Sequence, residues 1–574
     1  MTNETGLSGR KWNIISVFDG RDPLAPLLKK RGITPDMMEG FMNPKIRDML
    51  PDPHVLNDME KASKALSELV MSGKRIGIYS DYDADGATSA GVLGRWIRMA
   101  RGTLGNLIIP DRKEHGYGPN SDLITGMFDD GDEAVFILDS GTVAGSVLNP
   151  LDASLRDRIF IIDHHMPSGS LPEVAAVVNP NREDQEPGWG HMAAVGVTFL
   201  LCVGAQREII RSGKADKSSM ASLMELLDYV AIGTVCDVVP LTGINRAFVS
   251  HGLTRIKTSD DNPIGAILSL AGKKDDEVSS SDCGFIIGPR LNAEGRIGRS
   301  DAAARHLLAT DPEIIRSGAK AMNDMNVKRQ GLEKAATEEA IDQAEGMPDS
   351  SVMICVTSGH EGVVGISASR IKERYSRPAI VLTDVGGGIL KGSARSYDGF
   401  NIGDAIHHAV DAGLLIKGGG HGMAGGMTLH SDKIEQFRTF MDEELLRSEF
   451  GQTGPIAHYD MEIREEDATL ATKKLFDSMK PFGRSNEEPS FVLRDATIGD
   501  VRVLSDKHVK ATIVSSRGGK KLLDAILWGG VGTPSGENIV QNKGKKITLA
   551  GRLDINRWNE REYLQLIIDD VLKE

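Results

Sequence analysis

Cysteine is scarce in this chain, and no cysteine is placed to form a zinc ribbon. The 574 residues include four cysteines, at positions 202, 236, 283 and 355, and no Cys-x-x-Cys pair. Small secreted scaffolds are rich in cysteine, and zinc ribbons carry closely spaced cysteine pairs. We therefore expect a reducing compartment and no zinc ribbon.

Long apolar runs are also lacking. The longest nearly apolar run, residues 193–205, is too short to span a bilayer. Residues 1–11 are polar and do not show the charged and then apolar pattern of a secretion signal. With 40% hydrophobic and 26% charged residues, the composition is that of an ordinary globular protein. We expect a cytoplasmic location.

The chain has no excess of positive charge. Its formal net charge is −14, so binding of a polyanion requires a local basic track. An acidic body with such a track would repel phosphates elsewhere and admit one strand at one place. Charge alone leaves open the alternative that the substrate is a small phosphorylated molecule.

What the chain does contain is four clusters of aspartate and histidine, and three of them follow short apolar runs. The clusters are Asp81, Asp83 and Asp85; Asp139; Asp163, His164 and His165; and Asp237. Residues 76–79, 135–138 and 159–162 precede the first three clusters, and runs of this length between helical patterns are typical of buried parallel strands. The functional crevice of an open α/β sheet lies outside the carboxyl ends of its strands. We expect the carboxylates to converge there.

Several carboxylates in one pocket require cations to neutralise them. Carboxylates with one or two imidazoles and no thiolate suit Mn²⁺ or Mg²⁺. The carboxylates outnumber the needs of one ion, which favours two ions a few ångströms apart, as in phosphoryl-transfer enzymes. Each cluster alone has a plainer explanation, because an aspartate at a strand end is usually a helix cap or a turn residue. The four together favour a metal centre.

The same clusters resemble the phosphoesterase motifs of the DHH family, in the family's order. The matching runs are residues 81–89, 138–141, 163–165 and 233–241. Five more runs resemble the RecJ branch of that family, the single-strand-specific 5′→3′ exonucleases of bacterial DNA repair and recombination: residues 288–296, 362–366, 391–396, 418–421 and 481–483. The resemblance covers nearly the whole chain. It implies a metal-dependent hydrolase that degrades single-stranded DNA to 5′-mononucleotides with two Mn²⁺ or Mg²⁺ ions.

The resemblance also implies a catalytic role for each cluster residue. The expected ion ligands form two overlapping sets: Asp85, His164, Asp237 and Asp139 for one ion, and Asp83, Asp139 and Asp81 for the other. Asp163 is expected to orient an imidazole, and His165 to contact the scissile phosphate. Whether Asp81 and His165 bind metal or substrate stays open.

The length of the chain predicts several domains. The expected parts are an N-terminal segment, 1–55; a parallel-sheet DHH catalytic domain, 56–310; a connector helix, 311–346; a second α/β, DHH-associated domain, 347–450; and an OB-like β-barrel that binds nucleic acid, 451–574. The connector follows from an apolar stripe at helical spacing that includes Ile315, Met322, Ala336 and Ala340. The resemblance implies that this helix holds the second domain against the first, with a cleft over the metals.

Candidate phosphate- and nucleic-acid-binding residues come from both α/β domains. They are Arg112, Tyr117, Arg290, Asn292 and Arg296 in the first, and Arg370, Ser393, Arg395, Gly419 and His421 in the second. We interpret Arg290 and Arg296 as flanking a glycine-containing loop, and Ser393 and Arg395 as lying in a turn of small residues. Residues 418–421 are interpreted as a loop whose amides cradle a phosphate. That loop lacks the Gly-Lys-Ser/Thr ending of a nucleotide P-loop.

The C-terminal region alternates short strands and turns, which predicts a small closed barrel. Its predicted strands are residues 509–514, 522–528 and 547–552. Basic residues such as Lys507 and Lys510 occur there among aromatic residues such as Trp528, as in OB-folds that bind single strands. An ordinary β-domain with solvated lysines and buried tryptophans is the alternative.

Two other functions stay open beside the exonuclease. One is a DHH phosphodiesterase that acts on short oligonucleotides or cyclic dinucleotides; such enzymes generally lack a large C-terminal barrel. The other is a non-enzymatic replication-fork scaffold, a class that tends to lose the metal ligands. The resemblance further implies that the protein is a monomer and does not associate with a membrane. It implies three partners: single-stranded DNA, a single-strand-binding protein and a RecQ-like helicase.

Overall fold

The computed structural model describes residues 4–20, 22–111, 114–116, 118–274, 277–298, 300–347, 352–516, 519–558 and 561–573. The chain forms two compact units. One, the catalytic unit, contains residues 35–329 and 480–487; the other, the discontinuous unit, contains residues 1–34, 330–479 and 488–574. These divisions differ from the boundaries expected at residues 55, 310, 346 and 450. The N-terminal residues join the unit of the C-terminal strands, and eight residues of the C-terminal region join the catalytic unit.

The strands, in chain order, are β1 (Lys11–Val17), β2 (Arg75–Ser80), β3 (Thr103–Ile108), β4 (Ala134–Leu138), β5 (Ile159–Ile162), β6 (Ala176–Val178), β7 (Met353–Thr357), β8 (Ala379–Asp384), β9 (Ile389–Arg395), β10 (Lys417–His421), β11 (Ala424–His430), β12 (Ile456–Ile463), β13 (Ser490–Leu504), β14 (His508–Val514), β15 (Lys521–Leu527), β16 (Lys546–Trp558) and β17 (Arg561–Val571).

The α-helices are α1 (Leu24–Lys30), α2 (Met38–Met42), α3 (Ile46–Met49), α4 (Met59–Met71), α5 (Ala84–Met99), α6 (Ser121–Asp129), α7 (Gly145–Leu148), α8 (Ala153–Arg156), α9 (Ala194–Arg211), α10 (Leu227–Cys236), α11 (Gly243–Leu253), α12 (Pro263–Leu270), α13 (Ser280–Asp282), α14 (Gly288–Ile297), α15 (Ala302–Leu307), α16 (Pro312–Ala344), α17 (Val364–Tyr375), α18 (Ile402–Asp411), α19 (Ile434–Arg447), α20 (Glu449–Thr453), α21 (Leu470–Asp477) and α22 (Pro534–Gln541). One π-helical turn, Cys283–Ile287, precedes α14.

The sheet of the catalytic unit is parallel, as predicted, with strand order β3-β2-β4-β5-β6. Its strands are buried on both faces. Ile78 and Phe136 pack with α5, α9 and α10 on one face, while Ile137 and Ile161 pack with α6 on the other. The short apolar runs in the sequence reflect this double burial. The carboxyl ends of β2, β4 and β5 therefore lie side by side, directly before Asp81, Asp139 and Asp163.

Helix α10 belongs to the core of this unit. The stretch Lys217–Cys236 is long and apolar enough to cross a membrane by length and composition. In the structure its first half is two short 3₁₀ turns, and its second half is α10, whose Tyr229, Val230 and Ile232 are buried. The apolar character of the stretch is that of a core helix.

The discontinuous unit holds a second α/β layer. Its sheet has the order β10-β11-β9-β8-β7, and only β7 and β8 pair in parallel. Two interpretations were wrong here: Ser393 and Arg395 lie in strand β9 rather than a turn, and residues 418–421 lie in strand β10 rather than a loop. The glycines of β10 allow close packing of α18. A Cβ on Gly418 would lie 2.6 Å from Ile406, a residue of that helix.

The third sheet contains the C-terminal strands and β1. Its order is β1-β12-β13-β14-β15-β17-β16, and β13 also pairs with β16. The pairings from β13 through β14, β15, β17 and β16 therefore return to β13. Strand β1 pairs in parallel with β12, where Lys11 lies opposite Ile456. The three predicted strands of this region are confirmed: β14 and β16 are longer than expected, and β15 has the expected length but starts one residue earlier.

Candidate metal centre

The first motif is a tight turn between β2 and α5. Asp83 caps the helix, because its Oδ1 accepts hydrogen bonds from the backbone N–H of Asp85 (2.9 Å) and of Gly86 (3.0 Å). Its other oxygen is left for a ligand. A Cβ on Gly86 would lie 2.4 Å from the carbonyl oxygen of Asp81, so only glycine permits this turn. The cap explanation and the ligand explanation for Asp83 are compatible.

Asp85 is buried at the amino end of a second helix, α9. Its Oδ2 accepts from the N–H of Ala194 (2.7 Å) and its Oδ1 from the N–H of Val195 (3.0 Å). A helix N-terminus favours a negative charge there. Gly233 on α10 faces the same carboxylate, and a Cβ at that position would lie 3.0 Å from Asp85 Oδ1. The start of α9 and Gly233 of α10, which are far apart in the sequence, therefore both fix the position of the Asp85 carboxylate.

Asp139 follows β4 with a backbone φ of 58°. This left-handed conformation turns its carboxylate at the strand end, and aspartate tolerates it better than most residues do. Its Oδ1 is buried without a hydrogen-bond partner in the described part of the chain. His164 Nε2 lies 3.5 Å from this oxygen. An unpaired, buried carboxylate oxygen fits a missing cation.

Asp163 follows β5 and organises both histidines. Its Oδ1 accepts from the N–H groups of His164 (2.7 Å) and His165 (3.1 Å) and from His165 Nδ1 (2.8 Å). Its Oδ2 accepts from the N–H of Thr142. His164 Nδ1 lies 3.1 Å from the carbonyl oxygen of Met192 and donates to it, so Nε2 is the nitrogen available as a ligand.

Asp237 follows α10 and completes the centre. His164 Nε2 lies 3.6 Å from Asp237 Oδ2 and 3.9 Å from Asp85 Oδ2. The donor atoms form three overlapping groups within 4.8 Å, namely Asp85, His164 and Asp237; Asp81, Asp83 and Asp139; and Asp139, His164 and His165. Asp139 belongs to two of these groups, in the position expected of a shared ligand.

The pKa values of three carboxyl groups in this centre are strongly raised. Burial, together with the charges of Asp237 and Asp83, raises the pKa of Asp85 well above its ordinary value. Burial and neighbouring carboxylates do the same to the pKa of Asp139. Burial and Asp83 raise the pKa of Asp237 to about 7. Within the part of the chain that the structure describes, neither Asp85 nor Asp139 has a lysine or arginine ion-pair partner. The raised pKa values of Asp85 and Asp139 therefore reflect burial beside other carboxylates, with no lysine or arginine among the described residues to offset it.

The two histidines differ. Burial lowers the pKa of His165, but the hydrogen bond and charge of Asp163 raise it to about 9. Burial and the neighbouring His165 hold the pKa of His164 below its ordinary value. Burial raises the pKa of Asp163, yet hydrogen bonds from His165 and Thr142 outweigh it and leave that pKa low. His164 is thus suited to bind a cation, and His165 to meet an anion.

The residues fit two hard divalent ions. Donors about 2.1 Å from one ion lie about 3.0–3.4 Å from one another, close to the spacings around His164. The donor set contains carboxylate oxygens and imidazole nitrogen without a thiolate, as Mn²⁺ and Mg²⁺ prefer. The ligand assignments themselves stay predictions.

Helix α14 brings further predicted residues against this centre. Arg290, Asn292 and Arg296 lie on it, so the interpretation of a loop there was wrong. A Cβ on Gly295 would lie 2.7 Å from the carbonyl oxygen of Tyr82, between Asp81 and Asp83, and one on Gly288 would lie 2.7 Å from Cys236 Sγ, beside Asp237. The helix therefore touches both ligand loops. Arg112 and Tyr117 lie outside the described residues.

The remaining predicted residues lie together on the second α/β sheet. The strand register places Gly419 opposite Gly426, which lies opposite Ser393, and His421 opposite Ala424, which lies opposite Arg395, so strand β11 separates the two pairs of predicted residues. Residues in register on neighbouring strands face the same side. Arg395 Nη1 donates to Ser393 Oγ (2.8 Å). Arg370, on α17, instead pairs with Glu333 at 3.3 Å.

Sequence reasoning missed the packing around the loop after Asp237. Arg246 on α11 is fully buried, with 1% of its surface exposed, and it binds backbone carbonyls of residues 480 and 481. The run Pro481-Phe482-Gly483 was noticed in the sequence, but its Phe482 contacts Ser280, 202 positions away. No periodic pattern in either segment could have indicated these contacts.

Comparisons with known proteins match this organisation. A profile of the DHH family N-terminal domain matches residues 75–234, a DHHA1 domain profile residues 349–446, and a RecJ OB domain profile residues 459–570. The single-stranded-DNA-specific exonuclease RecJ of Dickeya dadantii is 32% identical over 571 residues, 96% of each chain. That of Escherichia coli is 32% identical over 545 residues, 92% of each.

Two solved structures are similar as well. RecJ from Thermus thermophilus in complex with Mn²⁺ superposes with a TM-score of 0.77 at 25% identity, covering 98% of this chain and 79% of that one. An exonuclease RecJ bound to manganese gives a TM-score of 0.57 at 29% identity, covering 70% of this chain and 96% of the other.

Proposed function

The chain belongs to the RecJ family, and from this premise we propose that it is a metal-dependent exonuclease that degrades single-stranded DNA from the 5′ end to 5′-mononucleotides. The observation that carries the proposal is the chain of three overlapping donor groups, in which Asp139 links Asp81 and Asp83 to His164, and His164 links Asp139 to Asp85 and Asp237. A small phosphodiesterase and a scaffold are the two other functions that the sequence leaves open. The intact donor set argues against a scaffold, and the seven-stranded C-terminal sheet argues against an enzyme for short substrates alone.

Each residue of the centre has a definite task in this proposal. Asp85, His164, Asp237 and Asp139 would hold one ion, and Asp81, Asp83 and Asp139 the other. Bound Mn²⁺ or Mg²⁺ would activate a water and neutralise charge on the attacked phosphate. Asp163 fixes the ring of His165 through Nδ1, and the charged imidazole would contact an oxygen of the scissile phosphate.

The remaining residues would bind the strand. We propose that Arg112, Tyr117, Arg290, Asn292 and Arg296 contact phosphates or bases near the metals, and that Arg370, Ser393, Arg395, Gly419 and His421 of the second α/β domain bind phosphates. The C-terminal strands would hold the body of the strand. The same proposal places the protein in the cytoplasm, in DNA repair and recombination, as a monomer that works with a single-strand-binding protein and a RecQ-like helicase.

End-labelled substrates test the reaction. Purified full-length protein with Mn²⁺ should release labelled mononucleotides first from a 5′-labelled single strand and only late from a 3′-labelled one. Blunt duplex of the same sequence should resist digestion, and the Asp139→Asn protein is the inactive control. Early release from the 3′ end, ready digestion of duplex, or cleavage of dinucleotides alone would overturn the proposal.

A further inference from the structure

Residues 480–487 belong to the catalytic unit, although the chain on both sides of them belongs to the other unit. Three contacts anchor this segment. Arg246 Nη2 donates to the carbonyl oxygen of Lys480 (2.8 Å) and Nη1 to that of Pro481 (3.1 Å), and the hydroxyl of Ser280 donates to the carbonyl oxygen of Phe482. The segment is thus fixed through its backbone.

The contacts of Arg246 require an arginine at this position. Its guanidinium lies 3.9 Å from the centre of the Phe41 ring, and its Nε donates to the carbonyl oxygen of Phe41 (2.6 Å). Burial of a cation is unfavourable unless its donors are satisfied. A planar fork with donors in fixed directions is needed to reach three carbonyls at once, and lysine has no such fork. The position therefore requires arginine rather than a positive charge.

The anchored segment holds the loop that begins at Asp237. The N–H of Leu241 donates to the carbonyl oxygen of Arg484 (2.8 Å), and Arg484 Nη1 donates to the carbonyl oxygen of Val238 (3.4 Å). Asn245, one residue before Arg246, binds the carbonyl oxygen of Pro240 (3.0 Å). The loop is tied at three points.

The loop needs these ties because its backbone is strained. Val238 has a φ of 58°, which is an outlier for a β-branched residue and persists only where the surroundings enforce it. Val238 follows Asp237 directly. Relaxation of Val238 would rotate the peptide that carries the Asp237 carboxylate, whose Oδ2 lies 3.6 Å from His164 Nε2.

We propose that Arg246 and residues 480–487 form a positioning device for the metal ligand Asp237. This inference deepens the proposed function and rests on its assignment of Asp237 as a ligand. Arg246 touches neither substrate nor ion; it acts through the segment and the loop. Loss of the device should weaken metal binding and leave binding of the strand unchanged.

The test uses the full-length Arg246→Lys protein, which keeps the charge and loses the fork. Its dissociation constant for Mn²⁺, measured by calorimetry, should rise about tenfold or more, the usual effect of removing a group that orients a metal ligand. Saturating Mn²⁺ should restore most of the exonuclease rate, and binding of a single strand in chelator should match the wild type.

Arg95→Lys is the matched control. Arg95 also lies in the catalytic unit, pairs with Asp228 at 3.2 Å and stacks 4.6 Å from the Tyr229 ring. Among the described residues, its partners lie away from the loop after Asp237. Its replacement should lower thermal stability while leaving the Mn²⁺ dissociation constant within about twofold of the wild type. A rise in that control equal to the rise in Arg246→Lys would overturn the inference.

Ser280→Ala decides the matter if Arg246→Lys does not fold. It removes the hydroxyl that donates to the carbonyl oxygen of Phe482 and should raise the Mn²⁺ dissociation constant, though by less than Arg246→Lys does. Unchanged Mn²⁺ affinity in the folded variants would show that the contacts are structural only. If the wild type does not hydrolyse single strands yet Arg246→Lys loses Mn²⁺ affinity, the proposed function fails and the positioning device stands.

Discussion

The charged side chains of the acidic centre and those of the C-terminal sheet differ in burial and in ion pairing. Asp85 and Asp139 are buried without a described lysine or arginine partner, and their pKa values are raised. On the sheet, Lys510 pairs with Asp524 and Lys543 with Asp500, each at 2.9 Å and partly exposed. A buried charge without a partner indicates a missing ligand, whereas an exposed and paired charge indicates little. The structure therefore indicates the position of the catalytic centre more clearly than the position of the surface that binds the strand.

The largest expected effect is at Asp139. Asp139→Asn keeps the size of the side chain and tolerates the φ of 58°, so the fold should survive. Loss of a shared ligand should slow hydrolysis roughly 10³-fold or more, measured as nucleotide release at saturating Mn²⁺. Asp157→Asn, at the amino end of β5, is the control and should stay at the wild-type rate. A tenth of normal activity in Asp139→Asn would contradict the two-ion assignment.

The next comparison concerns stability without metal. A carboxylate whose pKa is higher in the folded than in the unfolded state stabilises the fold below its unfolded pKa of about 4, and this contribution is lost as the pH rises through the folded pKa. The pKa of Asp237 is raised to about 7, and burial raises those of Asp85 and Asp139 as well. Chelated protein should therefore lose stability as the pH rises from about 4 through about 7, the pKa of Asp237, and lose more as Asp85 and Asp139 ionise.

Asp139→Asn isolates this contribution. In chelator, at any pH high enough to ionise Asp139 in the wild type, the variant should unfold at a temperature about 2 °C or more above the wild type, because one buried charge is gone, and at pH 4 the two should unfold together. With Mn²⁺ at pH 8 the order should reverse, since only the wild type gains the full binding energy. A wild type more stable than the variant under the same chelated conditions would show that His165, whose Nδ1 lies 3.9 Å from Asp139 Oδ1, neutralises this charge.

The parts that the sequence predicted are local ones. Strands β2, β4 and β5 and the residues after them follow from apolar runs of four residues in the sequence. Helix α14 was misread because Gly288, Pro289 and Asn292 are poor helix formers. In the fold, Pro289 occupies the first turn, where proline is tolerated.

The parts that could not be predicted depend on distant partners. Strand β1 has an ordinary β-strand pattern, but its sequence does not indicate that it pairs with β12. Arg246 looks like a surface arginine on an amphipathic helix until residues 480 and 481 cover it. Long-range pairing is set by the packing of the whole unit, which no short window contains.

On the strand-holding side, the largest expected effect is at Trp528. Its ring is 56% exposed and packs edge-on against His508 at 4.7 Å, which makes it a platform for a base. Loss of one stacked base is worth about 1–3 kcal/mol, so Trp528→Ala should weaken binding of long single strands roughly fivefold or more. Hydrolysis of trinucleotides should not change.

Val540→Ala is the control for that experiment. Val540 is also an exposed apolar residue of the C-terminal region, at 48%, and it lies on helix α22 rather than on a strand. Its loss should leave binding unchanged. Equal weakening by the two variants would mean that exposed apolar surface, rather than a stacking platform, holds the strand.

The smallest expected effect is a difference between Lys507 and Lys510 in the salt dependence of DNA binding. Lys510 already has Asp524 as a partner, and Asp524 keeps Lys521 (2.7 Å) when Lys510 is removed. Lys507, in the turn between β13 and β14, has no ion pair among the described residues. A lysine that neutralises one phosphate of a single strand adds about 0.7 to the slope of log affinity against log salt. Lys507→Gln should lower that slope by about this amount, and Lys510→Gln by less, because the released aspartate finds another cation. Equal slopes for the two variants would show that pairing in the free protein does not predict which lysines hold DNA.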